Sequence, residues 1–335
     1  MKPGVFITVD VECSMGGAWR GAGLKPVPPS RGIMGEYRGR RLGVPLIVDI
    51  LNSNNLAATF FVEAFNAERG YPGQTEPICK YLLDQGHDVQ LHIHPNHKHY
   101  AFHLAGRQYM FCDNIADLPA KHQKSLLEEG CERLTRWLGR SPVAFRAGNM
   151  GASEQVLQRL TEVGIKIDSS YAFPLTGGQC RFSPDNPYNG TRWYGSVLEL
   201  AMSGFYHRWL PGVQAAKLLD IVGVSFDECR DAVRGICRAG AHAVVILHSF
   251  SLFKVRNVQY DGGRADRIVI SRFRRFCQWL ADHAEQIPAY TVLELYRAVQ
   301  ENRSQANAVP PLTLPSLVQP FLRKVTQVVN RVYWI

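Results

Sequence analysis

Short apolar runs alternating with stretches of helical period constrain this chain more than any other feature of its 335 residues. A run of β-branched and aromatic residues bounded by turn residues predicts a strand, whereas apolar residues three and four apart mark one face of a helix. Val5 to Val9 reads as a first strand, and Val44 to Leu51 as a helix with Pro45 near its first turn. Ala57 to Val62 and His87 to Ile93 follow as strands around a helix from Glu76 to Gln85, which Gly86 stops. Helices from Lys121 to Leu138 and from a Ser153 cap to Val163 then alternate with strands at Val143 to Phe145 and Ile165 to Ile167. Later come a helix at Phe226 to Cys237, a strand at Ala243 to Leu247, a helix from about Arg267 to Ala284, and a unit from Tyr290 to Leu295 leading into Tyr296 to Val299. Such βα steps predict an α/β fold rather than a sandwich or a bundle.

The composition, 46% hydrophobic and 20% charged, is that of a globular protein with a sizeable core. The N-terminal apolar run meets Asp10 and Glu12 too early for a signal peptide, and no run reaches the roughly 18 apolar residues of a spanning helix. A cytoplasmic location is therefore expected. The eight cysteines lack CxxC spacing and read as small buried hydrophobes. Basic residues giving a net charge of +9 are spread along the chain without a nucleic-acid-binding signature. An anionic substrate or membrane surface suits this charge better than DNA.

A barrel-sized domain is expected over residues 1–300, a polar, proline-bearing linker over 301–315, and an amphipathic helix over 316–335. In that helix Val318, Phe321, Leu322, Val325, Val328, Val329 and Val332 fall three or four apart, with Arg323, Lys324 and Arg331 between them and Tyr333, Trp334 and Ile335 at the end. The plain expectation is a helix docked on the domain; the alternatives are peripheral contact with the inner face of a membrane, or self-association.

Polar residues that end apolar runs are the candidates for chemistry, because α/β folds present reactive side chains at the C-terminal ends of their strands. Asp10 and Glu12, two apart on an extended chain, point to one side. His92 and His94 share a face in the same way, and two imidazoles plus one carboxylate make a metal shell with open positions. His97, His99 and His103 follow in what reads as a polar loop, with His99 and His103 expected at the surface. Arg146 ends another strand and leads into Gly148, Asn149 and Met150, a turn whose backbone N–H groups could serve an oxyanion. Asp168 and His248 end two further runs, and an acid such as Asp168 beside His248 would hold its tautomer.

In their order, with Ala58-Thr59-Phe60-Phe61-Val62 between the first two, these motifs resemble the NodB-homology polysaccharide deacetylases, in particular a branch associated with surface-glycan and lipopolysaccharide gene clusters. The likeness runs from about Phe6 to Tyr296. It implies a distorted (β/α)7-type barrel and a hydrolase cleaving the N-acyl amide of an amino sugar. By resemblance Asp10 is the general base, and Glu12 with two histidines binds a divalent metal, usually zinc. Arg146 would orient Asp10, Asp168 would brace His248, and His248 would protonate the departing amine. The second histidine is His94 or His97, with His94 preferred because Pro95 follows it. The Arg146-Ala147-Gly148-Asn149-Met150 turn departs from the family's usual Arg-Pro-Pro-Tyr. The implied partner is an amino sugar, free or linked to a nucleotide or lipid. Deformylation, cyclic-amide hydrolysis, and a glycan-binding pseudoenzyme are the competing expectations.

Overall fold

The computed structural model describes residues 1–21, 23–210, 213–302, 306–316 and 318–332, so the terminal Tyr333, Trp334 and Ile335 lie outside the described residues. Nine strands of the main sheet are numbered β1 (Val5–Val11), β2 (Thr59–Glu63), β3 (Asp88–Ile93), β4 (Ala144–Ala147), β5 (Ile167–Asp168), β6 (Thr191–Tyr194), β7 (Val197–Leu200), β8 (Ala243–His248) and β9 (Ala289–Tyr290). Their spatial order is β8-β1-β2-β3-β4-β5-β7-β6, with β9 also on β1. All neighbours run parallel except β6 on β7. The result is the mixed α/β fold of a distorted barrel, with its sheet curled.

Every residue of β1, β2 and β3 is buried. Strands covered on both faces need apolar side chains on both, which is why they read as continuous apolar runs. Helices α1 (Val44–Asn52), α2 (Glu76–Asp84), α3 (Pro95–Leu104), α4 (Ala120–Leu138), α5 (Glu154–Glu162), α6 (Phe226–Arg238), α7 (Arg267–Asp282) and α8 (Val292–Glu301) connect the strands or follow them. Val5, Ile7, Val9 and Val11 share one apolar cluster with Ile47, Val48 and Leu51 of α1 and Phe273 and Phe276 of α7. Leu91 and Ile93 share a second with Leu127 and Leu134 of α4.

Several sequence expectations need correction. His97, His99 and His103 lie on α3 rather than in a loop, and His99 is buried. Pro95 sits in the first turn of α3, where its fixed φ favours a helix. Ser153 stands at the N-cap of α5 without a side-chain cap bond, whereas Thr291 closes a reciprocal capping box with Glu294 at the start of α8. Residues 306–315 are not a free tether. Asn189 and Val309 exchange backbone hydrogen bonds, and Thr313–Leu314 pairs with Tyr206 and His207.

Helix α9 (Val318–Val332) docks, but with the opposite face to the one its apolar stripe suggests. Arg323 is buried against Glu228 of α6, Gln319 bonds Asp231, and the Asn330 amide donates to Asp266. Lys254 Nζ donates to the Asn330 carbonyl at 2.7 Å. Val318, Phe321 and Val328 point outward, each at least 60% exposed.

Candidate active site

The strand register places the candidate side chains in one row. Asp10 of β1 pairs with His248 of β8 on one side and with Phe61 of β2 on the other. Glu63 of β2 pairs with His92 of β3, and His92 with Arg146 of β4. Because side chains alternate along a strand, Val9, Val11, Leu91 and Ile93 enter the core while Asp10, His92 and Arg146 face the other way.

Glu12, His92 and His94 form a cluster whose three ligand atoms all lie within 4.8 Å of one another. Glu12 Oε2 is 2.5 Å from His94 Nε2 and 3.3 Å from His92 Nε2. The opposite ring nitrogens are already committed. His92 Nδ1 donates to the Arg146 carbonyl at 2.9 Å, and His94 Nδ1 bonds Asp113 Oδ2 at 3.0 Å. A carbonyl can only accept, so in neutral His92 the hydrogen sits on Nδ1 and the Nε2 lone pair faces Glu12. Such a donor set fits a divalent cation with three protein ligands. Burial would raise the Glu12 carboxyl, but the charges and hydrogen bonds of His94 and His92 outweigh it and hold Glu12 well below the usual carboxylate range. Burial likewise opposes the protonated form of His94, yet Glu12 and then Asp113 raise it well above an ordinary histidine.

Arg146 is fully buried and gives Asp10 Oδ1 a 2.7 Å hydrogen bond. Its remaining donors reach Thr8 Oγ1, the Ser169 carbonyl and Ser169 Oγ, and its guanidinium lies 4.2 Å from the centre of the Phe61 ring. His248, opposite, stacks on Phe250 with centroids 5.1 Å apart, and its Nε2 is 3.8 Å from Glu12 Oε1.

Asp168 does not brace His248. It sits on β5, separated from β8 in the sheet by β1, β2, β3 and β4. Its oxygens instead take the hydroxyl and backbone N–H of Ser170. Burial, followed by the neighbouring Asp168 charge, raises Glu199 well above the usual carboxyl range. Besides Glu12, the half-buried Asp220, bridged to Ile246 of β8, interacts with His248 through its charge.

Glu63 does not join the ligand cluster but organises the ground beneath it. Its oxygens accept from the backbone N–H groups of Phe65 and His94, and one lies 3.4 Å from His97 Nδ1. His97 therefore faces Glu63 rather than Glu12, stacked on His94 with centroids 5.0 Å apart. Gly148, Asn149 and Met150 form a single turn in which Asn149 and Met150 adopt φ of 56° and 55°. A Cβ on Gly148 would meet the His94 ring at 2.5 Å, so only glycine lets the imidazole close against this turn. The Asn149 amide donates to Asp113, completing the support of His94.

Sequence reasoning missed Glu63, Asp113, Asp220 and Glu199. Glu63 ends the apolar run of β2 and followed the same rule as the residues chosen. Asp113 and Asp220 lie outside strands and helices and carry no local signal.

The sequence profile of the polysaccharide deacetylases matches residues 38–167, a span holding His92, His94 and Arg146 but neither Asp10, Glu12 nor His248. No curated protein matches by sequence. Among solved structures, a Mycobacterium smegmatis protein assigned as a polysaccharide deacetylase is 18% identical at a TM-score of 0.52, with 93% of each chain covered. A peptidoglycan N-acetylglucosamine deacetylase is 16% identical at a TM-score of 0.45, covering 88% of this chain and 89% of that one. A family 4 carbohydrate esterase from Streptomyces lividans, in complex with acetate, is 13% identical at 0.42, covering 86% and 91%. At these identities the likeness concerns the fold alone.

Proposed function

From its membership of the polysaccharide deacetylase family, the NodB-homology group, we propose that the chain removes an N-acetyl group from an amino sugar in surface-glycan biosynthesis, using a divalent cation, zinc by preference. The observation that carries the reading is one buried row holding a carboxylate and two oriented imidazoles, a second carboxylate held by arginine, and a further histidine opposite. Glu12, His92 and His94 would hold the metal. When bound, it would supply a Lewis acid for the acyl oxygen and lower the pKa of the attacking water.

The chain's own groups would do the rest. Arg146 fixes Asp10 Oδ1, leaving Oδ2 to receive the proton of the attacking water. His248, stacked on Phe250 and near Glu12 rather than Asp168, would give a proton to the departing amine. The turn at Gly148, Asn149 and Met150 lies beside His94 and would offer backbone N–H groups to the developing oxyanion.

Purified protein is expected to bind about one zinc per chain and to release acetate from an acetylated amino-sugar donor, with Asp10→Asn and His248→Ala both losing most turnover. Formate release from an N-formyl donor in place of acetate would move the chain to deformylation. Undiminished activity of metal-free protein would overturn the mechanism, and no turnover on any acylated amino sugar would favour a pseudoenzyme.

The exposed apolar face of α9 supports a peripheral membrane setting. Lys324 and Arg331 are exposed on it, Arg323 being spent on Glu228, and the helix carries no acid, which suits an anionic lipid surface better than a second copy of the same basic helix. Co-sedimentation with anionic vesicles, abolished by Phe321→Glu with Val325→Glu, is the expected result. A stable dimer lost in the same variant would replace the membrane with a second chain.

A further inference from the structure

Away from the catalytic row, five arginines line one cleft. Arg31, Arg38, Arg40, Arg256 and Arg264 surround a cavity of about 530 Å³, and Glu36 is the only acid in its wall. Two short hairpins make it. Glu36–Tyr37 pairs with Arg40–Arg41 around the Arg38-Gly39 turn, where both residues have positive φ, and Phe253–Val255 pairs with Gly263–Ala265. The hairpins are held together from beneath. Val27, Tyr37, Leu42, Phe253 and Tyr260 form a compact apolar cluster, and the Tyr37 hydroxyl bonds the Tyr260 carbonyl.

Arg31 is ion-paired with Asp261, and Arg264 also has an interaction of its own. Arg38, Arg40 and Arg256, all exposed, still outnumber the one carboxylate in the wall, Glu36, so the cleft presents a positive potential to an approaching anion. Guanidinium is the group whose planar fork matches phosphate oxygens bidentately. The cleft is joined to the candidate active site through a chain of packed side chains. His248 stacks on Phe250, Phe250 packs against the cluster beneath the hairpins, and Tyr37 and Leu42 of that cluster line the cleft.

We propose that this arginine cleft binds a phosphate or diphosphate group, and that the amino sugar acted upon carries that group as its anchor. The second half rests on the deacetylase reading; the first does not. A neutral polymeric glycan would have no use for such a wall, whereas a sugar with a phosphorylated anomeric position would meet arginines at one end and the catalytic row at the other.

The test separates the two halves. Inorganic pyrophosphate titrated into the full chain by calorimetry should bind, and Arg40→Glu with Arg256→Glu should weaken binding by roughly a hundredfold, about tenfold for each charge-assisted pair lost. Circular dichroism and thermal unfolding of the variant establish that it folds, and Arg40→Lys with Arg256→Lys should restore part of the affinity. Absence of pyrophosphate binding, or equal binding by the charge-reversed protein, overturns the site and leaves the deacetylase reading untouched. Acetate release is then compared between a nucleoside-diphosphate amino sugar, a lipid-diphosphate amino sugar in vesicles, and a neutral amino-sugar oligomer. A preference for either phosphorylated donor that falls at least tenfold in the charge-reversed variant supports the anchor, and the preferred donor identifies the source of the phosphate. Equal turnover of the neutral donor overturns the anchor while leaving a pyrophosphate site in place. Pyrophosphate binding without turnover of any donor sinks the deacetylase reading alone.

Discussion

Asp113 shows how far the candidate centre depends on groups that touch no substrate. It accepts from His94 Nδ1 and from the Asn149 amide, and so fixes which His94 nitrogen faces Glu12. Removing such a partner typically lowers metal affinity ten- to a hundredfold, so Asp113→Ala should bind zinc more weakly by about that factor in competition with a chromophoric chelator. Gly148→Ala tests the same imidazole from the other side, since its methyl group would displace the ring. It should cost activity and metal together, whereas a normal metal content would mean that the ring has another place to go. His87 and His242 give a pH signature unconnected with the site. Burial pushes each down to about 4 from 6.5. Between those values the unfolded chain takes up protons that the folded one refuses, so stability should fall as pH drops from about 6.5 to about 4. Urea unfolding at several pH values would check this, and a flat profile in that window would contradict it. At this scale the candidate ligands were legible because each ends an apolar strand. Asp168 was misassigned for a related reason: a strand end reveals that a side chain reaches the working edge, but not how many strands lie between it and its partner.

Among the elements, parallel strands were readable because burial on two faces leaves an unbroken apolar run. The stretch from Thr191 to Leu218 was not. Its strands mix arginine, histidine and aromatics, and Glu199 lies fully buried where a sequence reader expects an exposed position. Helix α9 was legible as a helix, but not in its orientation, because amphipathicity identifies two faces without saying which one the rest of the chain wants. The answer lay in Glu228 of α6, almost completely buried and needing a cation, which Arg323 supplies. Breaking a buried pair from one side leaves a stranded charge, so Arg323→Ala should cost about 3 kcal/mol in chemical denaturation. An equally stable variant would show that the docking does not depend on this pair.

For the whole molecule, no described helix is long and apolar enough to cross a membrane, so attachment through α9 would be reversible and salt-sensitive. Binding to anionic vesicles should therefore weaken between 50 and 500 mM salt, in about the range where exposed charges are screened. The docking of α9 also reaches further than its own surface. Asn330 holds Lys254, which lies in one strand of the arginine-bearing hairpin, and Asp266, which follows the other strand and caps α7. The last helix is thus a strut beneath that hairpin. Where occupancy at one biases the other, linkage requires the two affinities to change reciprocally. A chain ending at Ser316 should hold pyrophosphate several-fold more weakly although none of the described residues deleted lines the cleft. Vesicles should tighten pyrophosphate binding in the full chain, so that an enzyme at a lipid surface would grip its phosphorylated substrate harder than the same enzyme adrift.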